Sequence, residues 1–420
     1  MVKLFVIPFA LVLLASSFFV IPLPAKAEPK TITVPDDYST IQAAIGNASA
    51  GDTVFVRNGV YNGTRITIDK ALSLIGENRQ ETIVIGVRGY ISPLGAIHVT
   101  ADNVTISGFA IKDSDLGILI EDSYEHVPSG CQIIDNDIVN NGEGIVTRGK
   151  TISVVGNNIA GSGSYGISVS SSNTTISGNT ITDSGYSGMI VDMSENVTIS
   201  GNTVTYNGVN EKDGPIKFRG GLNLRWNGPF YVYGNKIDDN KGYGIQLGEG
   251  CNNATIYDNS INRNSIGIKL LNFVLGGDAT IGLDNSVYRN NLIGNSQQAL
   301  VEATYGYAGN SKDFALVNGT DVVVWDNGKE GNYWSDYQSR YPNAVEAGSS
   351  GIGDTPYVID ENNLDNYPFL RPLDISTGLT PSTTSLLIIL VIAVAIILVL
   401  AIAFLAYRAR TRRRGSFKMA

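Results

Sequence analysis

Between residues 28 and 374 the side chains able to hold a soft metal are His98, His126, Cys131, Cys251, Met189 and Met193. His126 and Cys131, in and just after the segment 121–130, form the one His/Cys pairing in the sequence, and two ligands make a poor copper site. Polysaccharide cleavage asks instead for paired carboxylates on one face. Alignment of the repeats described below puts Asp113, Asn140, Asp183 and Asp239 in one turn column, and Glu121, Arg148, Asp192 and Arg225 in another. Asp183 and Asp192 are the candidate catalytic acids, but no carboxylate pair is distinguished from its neighbours, and solvated turns account for them equally. Asp192 and Arg225 fall in adjacent repeats, which predicts a surface ion pair. Lys217, Arg219, Arg225 and Trp226 cluster at an insertion, 208–220, and make the best candidate ligand site: an aromatic platform flanked by cations. No nucleotide-binding Gly loop, zinc spacing or nucleophile elbow is visible.

These residues ride on a repeat. An aliphatic pair, Gly or Asp, then Asn recurs with Asn at 136, 157, 179, 202, 235, 259 and 290, spaced 21, 22, 23, 33, 24 and 31 apart. An earlier copy, Ile106-Ser107-Gly108-Phe109, has Phe in that place. A second column, Gly followed by an aliphatic residue, marks Gly117, Gly144, Gly166, Gly188, Gly221, Gly244 and Gly267. Between these markers residues alternate, the period of a strand with one buried face. A unit near 22 residues with three short strands is one coil of a solenoid, burying its face against neighbours about 4.8 Å away. Asn suits the bend because it tolerates left-handed backbone angles, and its amide can bond the Asn of the next coil. A leucine-rich repeat needs a Leu ladder that is absent, and a β-propeller needs about twice the period.

The fold class is therefore all-β: a right-handed parallel β-helix with an N-terminal capping helix, a C-terminal cap and one transmembrane helix. Stacking places Cys131 and Cys251 five coils, roughly 24 Å, apart, far beyond the roughly 7 Å of disulfide reach. Two free thiols are expected.

The ends set the topology. Lys3, a mostly apolar stretch over 4–23 and Ala25-Lys26-Ala27 read as a cleavable secretory signal. Residues 386–406 are 21 consecutive apolar residues, long enough to span a bilayer, followed by Arg408, Arg410, Arg412, Arg413, Arg414 and Lys418. Positive charge beside a span stays inside, so the body is extracellular on a single-pass cell-membrane protein with a cytoplasmic C-terminus. With both ends set aside, 22 Lys and Arg face 39 Asp and Glu, a balance of −17 that disfavours nucleic acid as a partner. Sequons at Asn47, Asn62, Asn103, Asn173, Asn196, Asn253 and Asn318 are candidate glycosylation sites.

Tyr38 to Ile45 reads as a capped amphipathic helix with Ile41, Ala44 and Ile45 on one face. With the strand-like Gly51 to Val56 after it, this segment resembles the start of pectin-lyase-like β-helices, where such a helix plugs the open end. The run Trp325 to Gly328, Gly331 to Tyr337, Gly351 to Tyr357 and Asp365 to Pro368 resembles the C-terminal module of surface proteins of archaeal and bacterial type, with repeats like those termed PbH1, related to the NosD-type copper-binding β-helix family. The resemblance spans roughly 31–372. It implies a secreted or periplasmic β-helix and a family that includes copper-delivery and carbohydrate-related proteins. Many relatives carry a denser acidic run before Gly-Ile-Gly-Asp, like a calcium loop. Here 342–353 offers Asn343, Glu346, Ser349 and Ser350, leaving Asp336, Asp354 and Asp360 as candidate Ca²⁺ ligands where six to eight oxygens are needed.

The chain thus reads as a signal peptide (1–27), an N-terminal cap with the first coils (28–102), β-helix repeats (103–310), an aromatic and Gly-rich cap module (311–373), a linker (374–385), a transmembrane helix (386–406) and a basic tail (407–420). The function expected is non-catalytic binding of a glycan or cell-envelope polymer, adhesin-like or structural. A polysaccharide hydrolase or lyase is the alternative, followed by copper delivery.

Overall fold

Three short strands per coil follow from the alternation of inward aliphatic and outward polar residues, and the coils stack them into three sheets. The computed structural model describes residues 28–63, 65–89, 95–121, 126–210, 219–275, 278–280, 284–303 and 323–375. The first sheet runs from Thr31–Val34 to Ser286–Tyr288, the third from Gly59–Asn62 to Tyr333–Trp334, each with eleven strands paired in parallel. The second sheet runs from Ile66–Ile68 through Ile266–Leu275 to Gln297–Ala303, with Asp278–Thr280 attached antiparallel at one edge. The chain is a parallel β-helix, as its repeat required. The leader at 1–27 and the apolar run at 386–406 lie outside the described residues; within them no helix is long and apolar enough to cross a membrane.

Aliphatic side chains stack in register inside. In the first sheet Ile133, Val154, Ile176, Ile199, Val232 and Ile256 pair coil to coil, each 0% exposed. Each contributes roughly 1.5–3 kcal/mol relative to an exposed side chain. The Gly column has a steric cause: a Cβ on Gly144 would lie 2.4 Å from Gly166 O, and one on Gly166 2.6 Å from Gly188 O. Only glycine lets successive coils approach so closely. Helix Ile41–Asn47, N-capped by Thr40, buries Ile41, Ala44 and Ile45 in the same core.

Asparagine forms the expected ladder. In Asn179 both the backbone N–H and Nδ2 donate to Oδ1 of Asn202 one coil on (2.9 and 3.0 Å), and Nδ2 also donates to Val154 O and Ser177 O. The pattern runs from Asn136 to Asn332. Phe109 ends it with a buried ring, its N–H donating to Asn136 Oδ1 at 3.1 Å. The other end reaches into the aromatic module, since Asn332 is a rung and Tyr333–Trp334 pairs with the third sheet.

A second ladder was not anticipated. Asn207, Asn240, Asn264 and Asn295 link by Nδ2 to Oδ1 bonds of 2.9–3.1 Å, five residues after each rung of the first. Ser114, Ser162 and Ser184 hold that place in other coils and are equally buried. The residue before each rung takes the left-handed bend: Asp113, Asn140, Asp183 and Asp239 have φ of 55–58°. The aligned turn column is thus a column of backbone geometry.

Four sequons have the same origin. Asn103, Asn173, Asn196 and Asn253 have φ of 54–56°, each two residues before an outward Thr that enters a first-sheet strand. The six described sequon asparagines are exposed; Asn318 lies outside the described residues.

Cys131 and Cys251 form no disulfide and are buried, at 1% and 0% exposure. They precede strands five places apart in the first sheet, as the stacking required. Burial, the largest influence, pushes the Cys131 thiol up. Neither thiol is expected to react with a water-soluble disulfide reagent in the folded protein, and both should titrate once it is denatured. Rapid labelling of the native protein, or an intact mass two hydrogens short, would contradict the coil alignment.

Candidate functional site: the second-sheet face around Asp192 and Arg225

Two second-sheet strands, Ser187–Ser194 and Gly220–Asn227, are eight residues long, against three to five in the coils on either side of the pair before Ile266–Leu275. Their extra length carries Asp192-Met193-Ser194 alongside Arg225-Trp226-Asn227, with Asp192 opposite Arg225 and Ser194 opposite Asn227. Arg225 Nη2 donates to Asp192 Oδ2 at 2.8 Å, with both side chains about one-fifth exposed. The ion pair predicted from adjacent repeats is present. Glu121 and Arg148 pair in the same way earlier in this column.

Met193 and Trp226 both have φ of 50°. For bulky residues this is strained backbone, costing roughly 1–2 kcal/mol each. The bend is held from the next coil, where Trp226 N–H donates to Glu249 O (2.7 Å) and Asn227 N–H to Gly250 O (3.0 Å). Gly250 leaves room for the indole, since a Cβ there would sit 2.8 Å from Trp226 Cε3. Met193 is 69% exposed and Trp226 half-buried, and each directly follows a member of the ion pair in sequence. Met189, by contrast, is 0% exposed core.

The same face continues over polar neighbours. Gln246 Nε2 donates to Asn223 Oδ1 at 3.1 Å, and both residues are buried. Among the described residues, Asp192 Oδ1, Asn223 Nδ2 and Gln246 Oε1 are buried without a hydrogen bond. Tyr165 and Tyr186 pack at 5.8 Å between ring centroids, and Tyr243 Oη lies 3.0 Å from Ser187 Oγ. Burial raises the Tyr165 hydroxyl pKa, with the Arg225 charge opposing, so that guanidinium acts across the face. Burial likewise raises the Glu143 carboxyl, opposed by Arg148.

Several candidate residues do not meet here. Asp183 is an exposed turn residue accepting from Thr182 Oγ1 at 2.9 Å. Asp183 lies before the strand Ser187–Ser194 and Asp192 near its end, and the stretch from Ser187 to Asp192 alone spans about 17 Å at strand rise, too far for a glycosidase pair. Arg219 immediately precedes the strand Gly220–Asn227 in which Arg225 lies, about 20 Å from it at strand rise. Lys217 lies outside the described residues.

The calcium candidates are also separate. Asp336 accepts from Tyr357 Oη (3.0 and 3.1 Å), Asp354 from Val345 N–H (3.0 Å), and Asp360 from Asn362 and Asn363 N–H (2.8 and 2.9 Å). Local turns and a tyrosine take each carboxylate, and among the described residues no three His, Cys, Asp or Glu groups gather as for a metal ion. His126 lies 3.4 Å from Asp102, whereas Cys131 faces the core. Sequence reasoning missed Glu143, Tyr165, Tyr243, Asn223 and Gln246. A usable signal existed for three of them, since Glu143, Tyr165 and Tyr243 immediately precede members of the Gly column.

Coils stacked in three parallel sheets, with two long adjacent strands in the second, define the class: a parallel β-helix. Residues 143–317 match the family model described as right handed beta helix region, and residues 45–214 match that of periplasmic copper-binding protein (NosD). The chain is a right-handed parallel β-helix, similar over these spans to NosD-type proteins. Its fold is similar to the A-module of mannuronan C-5 epimerase AlgE4 from Azotobacter vinelandii, at 16% identity, covering 66% of this chain and 96% of that one with a TM-score of 0.45. Pectate lyase Pel9A is similar at 13% identity, 78% and 86% coverage and a TM-score of 0.42. An alginate lyase from Paenibacillus sp. str. FPU-7 follows at 16%, 67% and 98%, with a TM-score of 0.37. At these identities the likeness concerns fold alone. No curated protein matches the chain.

Proposed function

We propose that this chain displays a non-catalytic binding face for a glycan or cell-envelope polymer, outside the cell and anchored by the apolar run 386–406. The reading rests on one observation: Met193 and Trp226, in strained left-handed geometry at the surface, directly follow Asp192 and Arg225, whose side chains pair. Strain of this kind persists where the surrounding structure imposes it, and it concentrates at ligand sites. An indole beside a fixed carboxylate and guanidinium suits a sugar ring, which offers C–H faces to the aromatic and hydroxyls to the charges. Asp192 is held by the Arg225 guanidinium rather than standing free as an acid or nucleophile, which favours binding over turnover. In this reading helix Ile41–Asn47 covers the open end of the coil stack, and the signal at 1–27 directs export.

One observation keeps the hydrolase or lyase alternative in view: Glu143, raised by burial, shares this face with Tyr165. A glycan array probed with the full chain, with a reducing-end assay on every bound polymer, separates the two. Binding without new reducing ends is expected, weakened about ten- to a hundredfold by Trp226→Ala, as for an aromatic hot spot. Unchanged binding in Trp226→Ala would move the site elsewhere. Turnover lost in Glu143→Gln would make the protein an enzyme.

A further inference from the structure

Where the second Asn ladder ends, a separate cavity of about 310 Å³ opens between the last second-sheet strand and the aromatic module. That size lies within the range of small-molecule sites. One wall is Asn295 to Ala299, and the other carries Asp336, Arg340, Tyr357 and Ile359.

Side-chain contacts brace both walls. On the first, Asn295 Nδ2 donates to Gln298 Oε1 (2.9 Å) and Gln298 Nε2 to Ser335 Oγ (2.8 Å). On the second, the Tyr357 ring is held between Trp334 (centroids 4.1 Å, planes 4° apart) and the Arg340 guanidinium (4.5 Å from the ring centroid). Tyr357 Oη donates to Asp336, and Arg340 Nη2 to Val358 O (3.0 Å). Asp336 and Arg340 are one helical turn apart, which sets one carboxylate and one guanidinium on the same wall. Ser296 and Gln297 are exposed.

The composition selects a ligand. One negative and one positive group share the space, so an anion meets Asp336 and a cation meets Arg340. The remaining lining is amide and hydroxyl, with small apolar surface from Ala299 and Ile359. A neutral ring bearing both hydroxyls and C–H faces satisfies all of these at once. We infer that this cavity binds a neutral hexopyranose unit, free or at the end of a glycan, at a site distinct from the Asp192–Arg225 face.

The inference stands apart from the proposed function and fails separately from it. Saturation-transfer NMR on the full chain is run with methyl glucoside, methyl galactoside and methyl mannoside, with glucuronate as the charged comparison. Saturable binding of at least one neutral glycoside is expected in the Trp226→Ala background, which removes the second-sheet face, and there it is weakened at least fivefold by Gln297→Ala and tenfold by Asp336→Asn. Gln297 is an exposed lining residue, so its variant keeps the test valid if Asp336→Asn loosens the module; melting temperatures identify that case. Binding of none of the neutral glycosides, equal binding in both cavity variants, or preference for glucuronate would each overturn the assignment.

Discussion

Asn202→Leu is expected to lower unfolding stability by roughly 3–5 kcal/mol, a large fraction of the roughly 5–15 kcal/mol that holds a folded domain. Asn202 is 1% exposed, and its Oδ1 accepts from both Asn179 N–H and Asn179 Nδ2. Its own Nδ2 donates to Ile176 O, Ser200 O and Asn235 Oδ1. Leucine fills similar volume but leaves the Asn179 N–H buried without its acceptor and removes four further hydrogen bonds. An orphaned buried group costs about 1–3 kcal/mol and each lost bond about 1 kcal/mol, partly offset by the apolar side chain. The control is Thr180→Ala, an exposed residue in an adjacent coil, which should change stability by less than about 0.5 kcal/mol. Equilibrium denaturant unfolding of the three proteins decides the matter. A loss under about 1 kcal/mol for Asn202→Leu would mean that the ladder ornaments the coils without holding them.

The second large effect concerns pH. Asp365 is 0% exposed; its Oδ2 accepts from Asn332 N–H and Trp334 Nε1, both at 2.7 Å, and its Oδ1 from Tyr367 N–H at 3.0 Å. Gly331 makes room for it, since a Cβ there would lie 1.7 Å from Oδ1. Burial, the dominant influence, pushes this carboxyl up to about 7 against an ordinary 3.8, with the three donors opposing. A carboxyl raised on folding holds its proton more tightly in the native state. Its contribution is therefore complete below about pH 4 and is lost as pH rises through 7. At about 1.4 kcal/mol per pKa unit the effect is of order 4 kcal/mol. Stability of the wild type measured across pH 4–8, compared with Asp365→Asn, isolates the group. Asn keeps one acceptor for Asn332 and Trp334 and removes the titration, so the variant's curve should be flatter by that amount. Parallel curves would assign the pH dependence to other groups.

The long-range consequences of the repeat were legible because a solenoid turns sequence offset into spatial adjacency. One period along the chain is one strand spacing along the rod, so the Asn column, the two unbridged cysteines and the Asp192–Arg225 pair all followed from alignment. The second ladder was equally written there, at a constant five-residue offset, and was missed because Ser replaces Asn in three coils.

Trp226 and Met193 show where that legibility stops. Their place next to Asp192 and Arg225 follows from register, but the left-handed backbone at Trp226 is held by the Glu249 carbonyl one coil on.

The sequence by itself determined the coil, its rungs, the turn columns and which residues of neighbouring coils face one another. Register in a parallel stack is set by inward aliphatic residues that tolerate no slip. Tertiary structure alone decided the Asp365 carboxylate under Trp334 and Asn332, the dispersal of Asp336, Asp354 and Asp360, and the cavity between Gln297 and Arg340. Those contacts arise where the chain leaves the repeat and folds back over its last coil, and there no period relates position in sequence to position in space.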